Sequence, residues 1–318
     1  MANDQIGTFT PTLESSSPEC IAWLTVLNIE AVAIVTINAL TIIIYLKERG
    51  LRKRTTYLVI SLAVADMFVT YNLIVCILSL GNGCNFWSFE DSIVVKSLTY
   101  FFPSVSIANL AAISLERLHA TFRPFKHRLI KKKIFGAAVA GVWFTAALST
   151  AILSSLFFLG RSDITTFFHL HVSYFSLIFC CVLIIVVSYT SIATKVHCGT
   201  HPQQHGTITR ERKLTKTLFI VTIVSFILVM PFTIVAFLFF VTSGEMFETT
   251  SDQTSRHLFL SLACLFCANS LINPLLYALK MTEFKRALFL LLRCRSRSEP
   301  VKVFPLNNLN VVRFHSVN

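Results

Sequence analysis

The chain has 318 residues, 54% of them hydrophobic and only 14% charged, against about 25% charged in an ordinary soluble domain. With a mean hydropathy of +0.67, it has too little polar surface for a cytosolic enzyme, a disordered protein or a nucleic-acid binder. The net charge of +12, from 28 Lys and Arg against 16 Asp and Glu, suggests instead a membrane with basic residues gathered on one side.

A helix that spans a bilayer takes about 20 mostly apolar residues. Seven stretches qualify: 21–46, 57–80, 92–116, 134–159, 168–194, 214–242 and 257–279. Each is uniformly apolar rather than alternating, so helices are expected and a barrel is not. Residues 1–20 form an N-terminal segment without a basic residue, an apolar run or an Asn-x-Ser/Thr sequon. No cleavable signal is expected there, and the first span itself directs insertion. Residues 21–293 make one all-α membrane domain: a seven-transmembrane helix bundle with a short amphipathic eighth helix. Residues 294–318 form a tail.

Polar groups inside hydrocarbon are expensive and usually functional. In chain order, the first span carries Glu30 toward its outer third and Asn38 at mid-depth. The second carries Asp66, which needs a partner, a proton or a cation; a neutral, hydrogen-bonded carboxyl is the plainer reading. The third contains Pro103 and ends in Glu116-Arg117. The fifth carries Tyr189 at its inner end, and the sixth opens on Glu211 and contains Pro231. The seventh holds Asn269, Ser270, Asn273, Pro274 and Tyr277. Asn273 and Tyr277, at i and i+4, share one helix face. The prolines each remove a backbone bond and bend their helix. An arginine at the end of a span can reach out to phosphates or turn inward to an acid; Glu116 and Glu211 are the acids within reach.

After the seventh span, TEFKRALFLLLR (282–293) is amphipathic and suited to lying on a membrane surface, and Cys294 beyond it is a candidate for palmitoylation. HCGTHPQQH (197–205) collects three histidines and a cysteine at a spacing that fits no tight metal site; it is expected to be a polar loop. Of the 28 basic residues, 25 fall in 47–54, 117–133, 195–216 and the tail from Lys280, and only Lys96, Arg161 and Arg256 lie on the other side. The positive-inside rule then places the N-terminus outside and the C-terminus in the cytoplasm of a multi-pass plasma-membrane protein, with the surplus charge facing anionic inner-leaflet lipids.

These motifs together resemble the rhodopsin-like (class A) G-protein-coupled receptors. NALTIIIYL resembles the family's first-helix asparagine motif. LRKRTTYLVISLAVADMFV (51–69) resembles the second-helix signature ending in its aspartate. SLERLHATFRPFKHR (114–128) resembles the third-helix DRY motif, with Glu116 for Asp and Leu118 for Tyr. Trp143 matches the fourth-helix tryptophan, and NSLINPLLYALKMTEFKRAL (269–288) matches the NPxxY motif and eighth helix. The resemblance implies a receptor in which Glu116, with Glu211, holds Arg117 at rest. Agonist binding swings the sixth span outward, Tyr189 and Tyr277 pack near the freed Arg117, and a G-protein α-subunit enters the cleft. It also implies an allosteric sodium ion held by Asp66, Ser106, Asn269, Ser270 and Asn273, whose oxygens suit a hard cation, and no other cofactor. The implied partners are an extracellular ligand, a heterotrimeric G protein, arrestin, a receptor kinase and membrane lipids, with no nucleic acid.

The chain also departs from the family. Ser92 stands where the third span normally carries its bridging cysteine, and no cysteine lies between Cys84 and Cys180. Cys20 and Cys84, the two cysteines expected to face outside, are candidates to pair with each other; their separation is not readable from sequence. In SFILVMPF (225–232), Val229 replaces the family's toggle tryptophan and Ser225 its phenylalanine. Thr99 replaces the aspartate of aminergic receptors, and Cys267 the lysine of opsins, which argues against a biogenic amine or retinal. The missing bridge and the missing span-five proline give a weak likeness to the melanocortin, lysophospholipid and cannabinoid branch. A lipid-like or other small molecule, or a short peptide, is therefore expected in a pocket drawn from Asn72, Thr99, Phe102, His171, Phe237 and His257. An arrestin-only receptor is an alternative that the retained Arg117, Tyr189 and Tyr277 disfavour. A seven-helix transporter or channel is another, disfavoured by the lack of an inverted repeat. No hydrolytic or redox constellation points to an enzyme.

Overall fold

The computed structural model describes residues 17–48, 51, 56–90, 93–158, 164–198, 220, 223–238, 252–280 and 282–292. The helices are α1 (Ser17–Lys47), α2 (Thr56–Gly83), α3 (Ile93–Phe122), α4 (Pro124–Leu129), α5 (Lys132–Phe158) and α6 (Ile164–Cys198), then α7 (Ile223–Leu238), α8 (Asp252–Lys280) and α9 (Thr282–Leu292). Six of them, α1, α2, α3, α5, α6 and α8, are long and apolar enough to cross a membrane, and α7 is a shorter apolar helix. Helices are the natural outcome for such segments, because lipid offers no partner for an unpaired backbone N–H or C=O.

Two helices differ from the sequence expectation. Helix α3 runs on past Glu116-Arg117 to Phe122, so the pair lies inside a helix rather than at its end. The short α4 was not expected at all. It starts with Pro124 at its first turn, a position where the missing N–H costs nothing.

Helix α2 packs on α1 and α3, α3 packs on α5 and α6, and α8 bridges α1 and α2. Aromatic contacts set α7 between its neighbours: Phe237 meets Phe175 of α6 edge-on at 5.3 Å, and Phe232 lies 5.2 Å from Phe266 of α8. Large apolar side chains such as Ile29, Val32 and Phe144 point outward, each 65–68% exposed. Such a belt would be an aggregation surface in water and matches the solvent in a bilayer. The protein is thus a multi-pass helical membrane protein.

The interior is layered. One apolar cluster at the basic end includes Tyr45, Leu62, Tyr189 and Phe284, the last bringing α9 under the bundle. A second, at the opposite end, includes Leu27, Ile34, Leu73 and Cys267. Between them Trp143 donates to Ser61 Oγ at 3.0 Å, tying α5 to α2, and Asn38 donates to the carbonyl of Ser270 at 3.0 Å, tying α1 to α8.

Opposite the basic end, α2 finishes in a tight turn with Asn85 in the left-handed region (φ 59°), a conformation asparagine tolerates. Trp87 folds back and donates to the Leu78 carbonyl at 2.9 Å. Its ring lies where a side chain on Gly81 would sit, 1.9 Å from an added Cβ, so that position accepts only glycine without displacing the indole. Cys84 forms a disulfide with Cys20 across 64 residues of sequence. The bridge ties the start of α1 to the turn after α2. Cys84→Ser is expected to destabilise the oxidised protein by about 2–4 kcal/mol, read as a lower melting temperature of the detergent-solubilised protein; an unchanged melting temperature would mean that packing alone holds α1.

Candidate functional site

Two polar centres stand out in the apolar bundle, one at the basic end of α3 and one at mid-depth. At the first, Arg117 Nε lies 2.8 Å from Glu116 Oε2, with the two side chains only 9% and 6% exposed. The other oxygen, Oε1, lies 2.7 Å from His127 Nε2 on α4. Glu116 is thereby shared between an arginine of its own helix and a histidine delivered by the next. The His127 ring is flanked by His119 at 5.8 Å and Phe135 at 6.1 Å. Nearby, Lys195 of α6 donates to the Thr121 carbonyl at 2.9 Å and sits 4.4 Å over the Phe122 ring. A cation there meets the negative end of the α3 dipole. Tyr189 is buried in the α3–α6 contact. Glu211, Cys294 and residues 199–205 lie outside the described residues, as does the Tyr277 side chain, although its backbone belongs to α8.

The second centre is Asp66, fully buried. Ser106 Oγ donates to its Oδ1 at 2.6 Å, Ser270 Oγ to the same oxygen at 3.2 Å, and Asn273 Nδ2 to Oδ2 at 2.7 Å. Three helices therefore converge on one carboxyl. Asn269 is close by in α8 but makes no bond to it, and the Oδ1 atoms of both Asn269 and Asn273 are buried without a hydrogen-bond partner. Among the described residues, no cluster of three or more His, Cys, Asp or Glu side chains forms a metal site.

A small, partly open cavity lies beside this centre among α3, α6, α7 and α8. Its walls include Pro103, Leu110, Tyr174, Val229, Met230 and Phe266, and it reaches Ser106, Asn269 and Ser270. Among the described residues, none of the sequence-predicted ligand residues lines it. Phe102 stacks on Phe68 at 5.0 Å between α2 and α3. Phe237 packs on α6. His257 accepts from Trp23 Nε1 at 2.8 Å, and its Nε2 is 3.9 Å from Glu19, so it serves the α1–α8 contact. Asn72 and Thr99 are half-buried on α2 and α3, and the His171 side chain lies outside the described residues. The described residues of that set, Asn72, Thr99, Phe102, Phe237 and His257, are not brought together at this cavity.

Sequence reasoning missed His127 and Lys195. Nothing in hydrophobic periodicity links a loop histidine to a helix acid; the available signal was Pro124, which opens α4 and so fixes where His127 points.

A family model described as 7 transmembrane receptor (rhodopsin family) matches residues 37–277. Among curated proteins, the QRFP-like peptide receptor of Branchiostoma floridae is 25% identical, with 84% of this chain and 77% of that protein aligned. Human lysophosphatidic acid receptor 4 is 26% identical over 82% and 75%. The octopamine receptor beta-2R of Drosophila melanogaster is 32% identical, but over only 35% of this chain and 21% of the receptor's own length. With a family match covering most of the chain and the seven-helix bundle in place, the protein belongs to the rhodopsin family of seven-transmembrane receptors, the class A G-protein-coupled receptors.

Proposed function

We propose that this receptor converts binding of an extracellular ligand into activation of a heterotrimeric G protein at the plasma membrane. The asymmetry of 25 basic residues against 3 supports an extracellular N-terminus and a cytoplasmic C-terminus, with α9 on the inner leaflet and Cys294 a palmitoylation point beyond it.

The observation that carries the reading is the Arg117–Glu116–His127 cluster. Burying an ion pair costs nearly as much desolvation as it returns in attraction, so such a pair is a poor staple but a good latch. Held, the arginine keeps the cytoplasmic end closed. Released, with α7 displaced, it offers donors to the carboxyl-terminal segment of a G-protein α-subunit, beside Tyr189 and Tyr277. Glu211 supplies a second acid for the held state. Ligand binding then acts as a bias on two states, limited by its differential affinity for them. Arrestin and a receptor kinase engage the same face of the active state.

The Asp66 cluster fits a sodium ion. A buried carboxyl faces two hydroxyls, and two amide oxygens, of Asn269 and Asn273, lack partners. That is an all-oxygen donor set of the kind a hard cation takes. Asp66, Ser106, Asn269, Ser270 and Asn273 would hold it, and the ion would neutralise the carboxylate in the resting state.

The named ligands of the relatives range over an amine, a peptide and a lysophospholipid, and Thr99 offers no charge for an ammonium. A lipid-like molecule, another small molecule or a short peptide remains the ligand class. A panel of G-protein dissociation biosensors, run on cells expressing the receptor against a library of lipids, peptides and small molecules, tests the function. A ligand-dependent signal from at least one G-protein class is expected; ligand-dependent arrestin recruitment with every G protein silent would overturn it.

A further inference from the structure

At the end of the bundle opposite the basic loops, two residues of α1 meet the two ring nitrogens of one histidine on α8. Trp23 Nε1 donates to His257 Nδ1 at 2.8 Å, and Glu19 Oε2 lies 3.9 Å from His257 Nε2. An imidazole nitrogen that accepts carries no proton, so the Trp23 bond requires the neutral ring, with its proton on the nitrogen that faces Glu19. At 3.9 Å the Glu19 contact is too long for a hydrogen bond. In the protonated ring both nitrogens donate. The Trp23 bond is then lost, and the new charge is drawn to Glu19 and to the indole face, whose centroid is 5.8 Å from that of the imidazole. Histidine changes charge between about pH 5 and 8, and this one is within reach of water: its side chain is 36% exposed and that of Glu19 38%. Other charged groups at the seam are few among the described residues. Helix α1 adds Glu30 about three turns deeper, where it bonds the Cys264 thiol of α8. Helix α8 adds Arg256 beside the ring, α2 carries no charged residue but Asp66, and α7 carries none.

The two helices do not yield equally. Cys20, between Glu19 and Trp23 in sequence, is bridged to Cys84, which pins the start of α1 to the turn after α2. The cysteines of α8, Cys264 and Cys267, are free thiols, so adjustment at the seam falls on α8, the helix that brings Ser270 and Asn273 to Asp66. We propose that His257 is a proton switch of the outer α1–α8 seam. The neutral ring accepts from Trp23; as pH falls the ring gains a proton, releases Trp23 and turns to Glu19, and the outer end of α8 loosens while α1 stays in place. The switch goes beyond the coupling reading and takes from it only the extracellular N-terminus, which makes the sensed pH that of the outside medium.

The test uses the purified receptor, labelled with fluorotryptophan, in phosphatidylcholine nanodiscs. Its three tryptophans, Trp23, Trp87 and Trp143, give separate fluorine resonances, that of Trp23 being assigned by its loss in Trp23→Phe. Between about pH 8 and about pH 5 the Trp23 resonance is expected to follow a single-proton curve. His257→Gln keeps a carbonyl acceptor for the indole but gains no proton, and should leave that resonance flat across the range. Hydrogen exchange reads the consequence, with wild type and His257→Gln compared at the same pH so that intrinsic exchange chemistry cancels. At about pH 5 residues 254–260 should exchange about threefold faster in wild type, the effect of losing one hydrogen bond, and at about pH 8 the two proteins should match. If His257→Gln does not fold, Trp23→Phe, which deletes the donor, must exchange faster than wild type there at about pH 8 and equally at about pH 5. A Trp23 resonance that does not titrate, or that titrates unchanged in folded His257→Gln, would overturn the proposal. So would exchange that is equal at both pH values, or a difference confined to residues 17–24, which would put the movement on α1. These measurements need no G protein, so their failure leaves the coupling reading standing, and a silent G-protein panel leaves them standing.

Discussion

Glu116→Gln raises ligand-free G-protein activation about tenfold over the wild-type receptor, the effect of shifting a two-state equilibrium by about 1.4 kcal/mol. Glutamine keeps the size of the side chain and a carbonyl oxygen for His127. It removes the charge that holds Arg117 at 2.8 Å. Losing one partner of a buried pair strands the other, at a cost of about 3–5 kcal/mol if the stranded charge cannot move. Arg117 can move, toward the cytoplasmic cleft, so part of that cost appears as a population shift toward the open state rather than as unfolding. His127→Ala should act in the same direction and more weakly, because it removes one of the two contacts on Glu116 and leaves the ion pair. The measurement is nucleotide exchange on a purified G protein with reconstituted receptor. Basal exchange equal to wild type in both variants would mean that the cluster is only structural.

Asp66→Asn erases the sodium dependence of receptor stability. An ion at about ten times its dissociation constant stabilises the state that binds it by about 1.4 kcal/mol, which for a domain of this size corresponds to roughly 3–5 °C in melting temperature. Wild-type receptor melted in sodium chloride is therefore expected to lie several degrees above the same protein in choline chloride. The variant, which keeps a hydrogen-bonding amide among Ser106, Ser270 and Asn273 but has no charge, should melt at one temperature in both salts. A salt difference that survives the substitution, or one that wild type never has, removes the sodium assignment.

Much of this architecture was legible because lipid punishes polar groups. Asp66, Asn269, Ser270 and Asn273 are scarce exceptions in apolar helices, and scarce polar groups in hydrocarbon must find one another, so their gathering follows from composition and depth. Glu116-Arg117 was legible for the same reason. The ligand residues were not. Helices that are apolar all round give little sign of which face turns inward, so Phe102 and Phe237 could be named from sequence as outer aromatics but not aimed. Phe102 went to the α2–α3 seam and Phe237 to α6, while His257 joined Trp23. Likewise the missing bulk at Val229 and Ser225 was plain in the sequence, but whether neighbouring side chains would collapse into the space was not. That depends on packing among α3, α6, α7 and α8. The contact between α4 and Glu116 was invisible because it depends on a six-residue helix whose sequence, PFKHRL, carries no apolar period.

The most direct measurement combines the two residues of the latch. Purified receptor carrying Glu116→Gln, with and without Arg117→Ala, is reconstituted with a heterotrimeric G protein of the class found by the biosensor panel, and nucleotide exchange is timed without ligand. The single variant is expected to accelerate exchange, and the double variant to return it to the receptor-free rate, because the group that engages the G protein is then gone. Equal acceleration by both variants, with both shown to be folded, would contradict Arg117 as the residue through which this receptor couples.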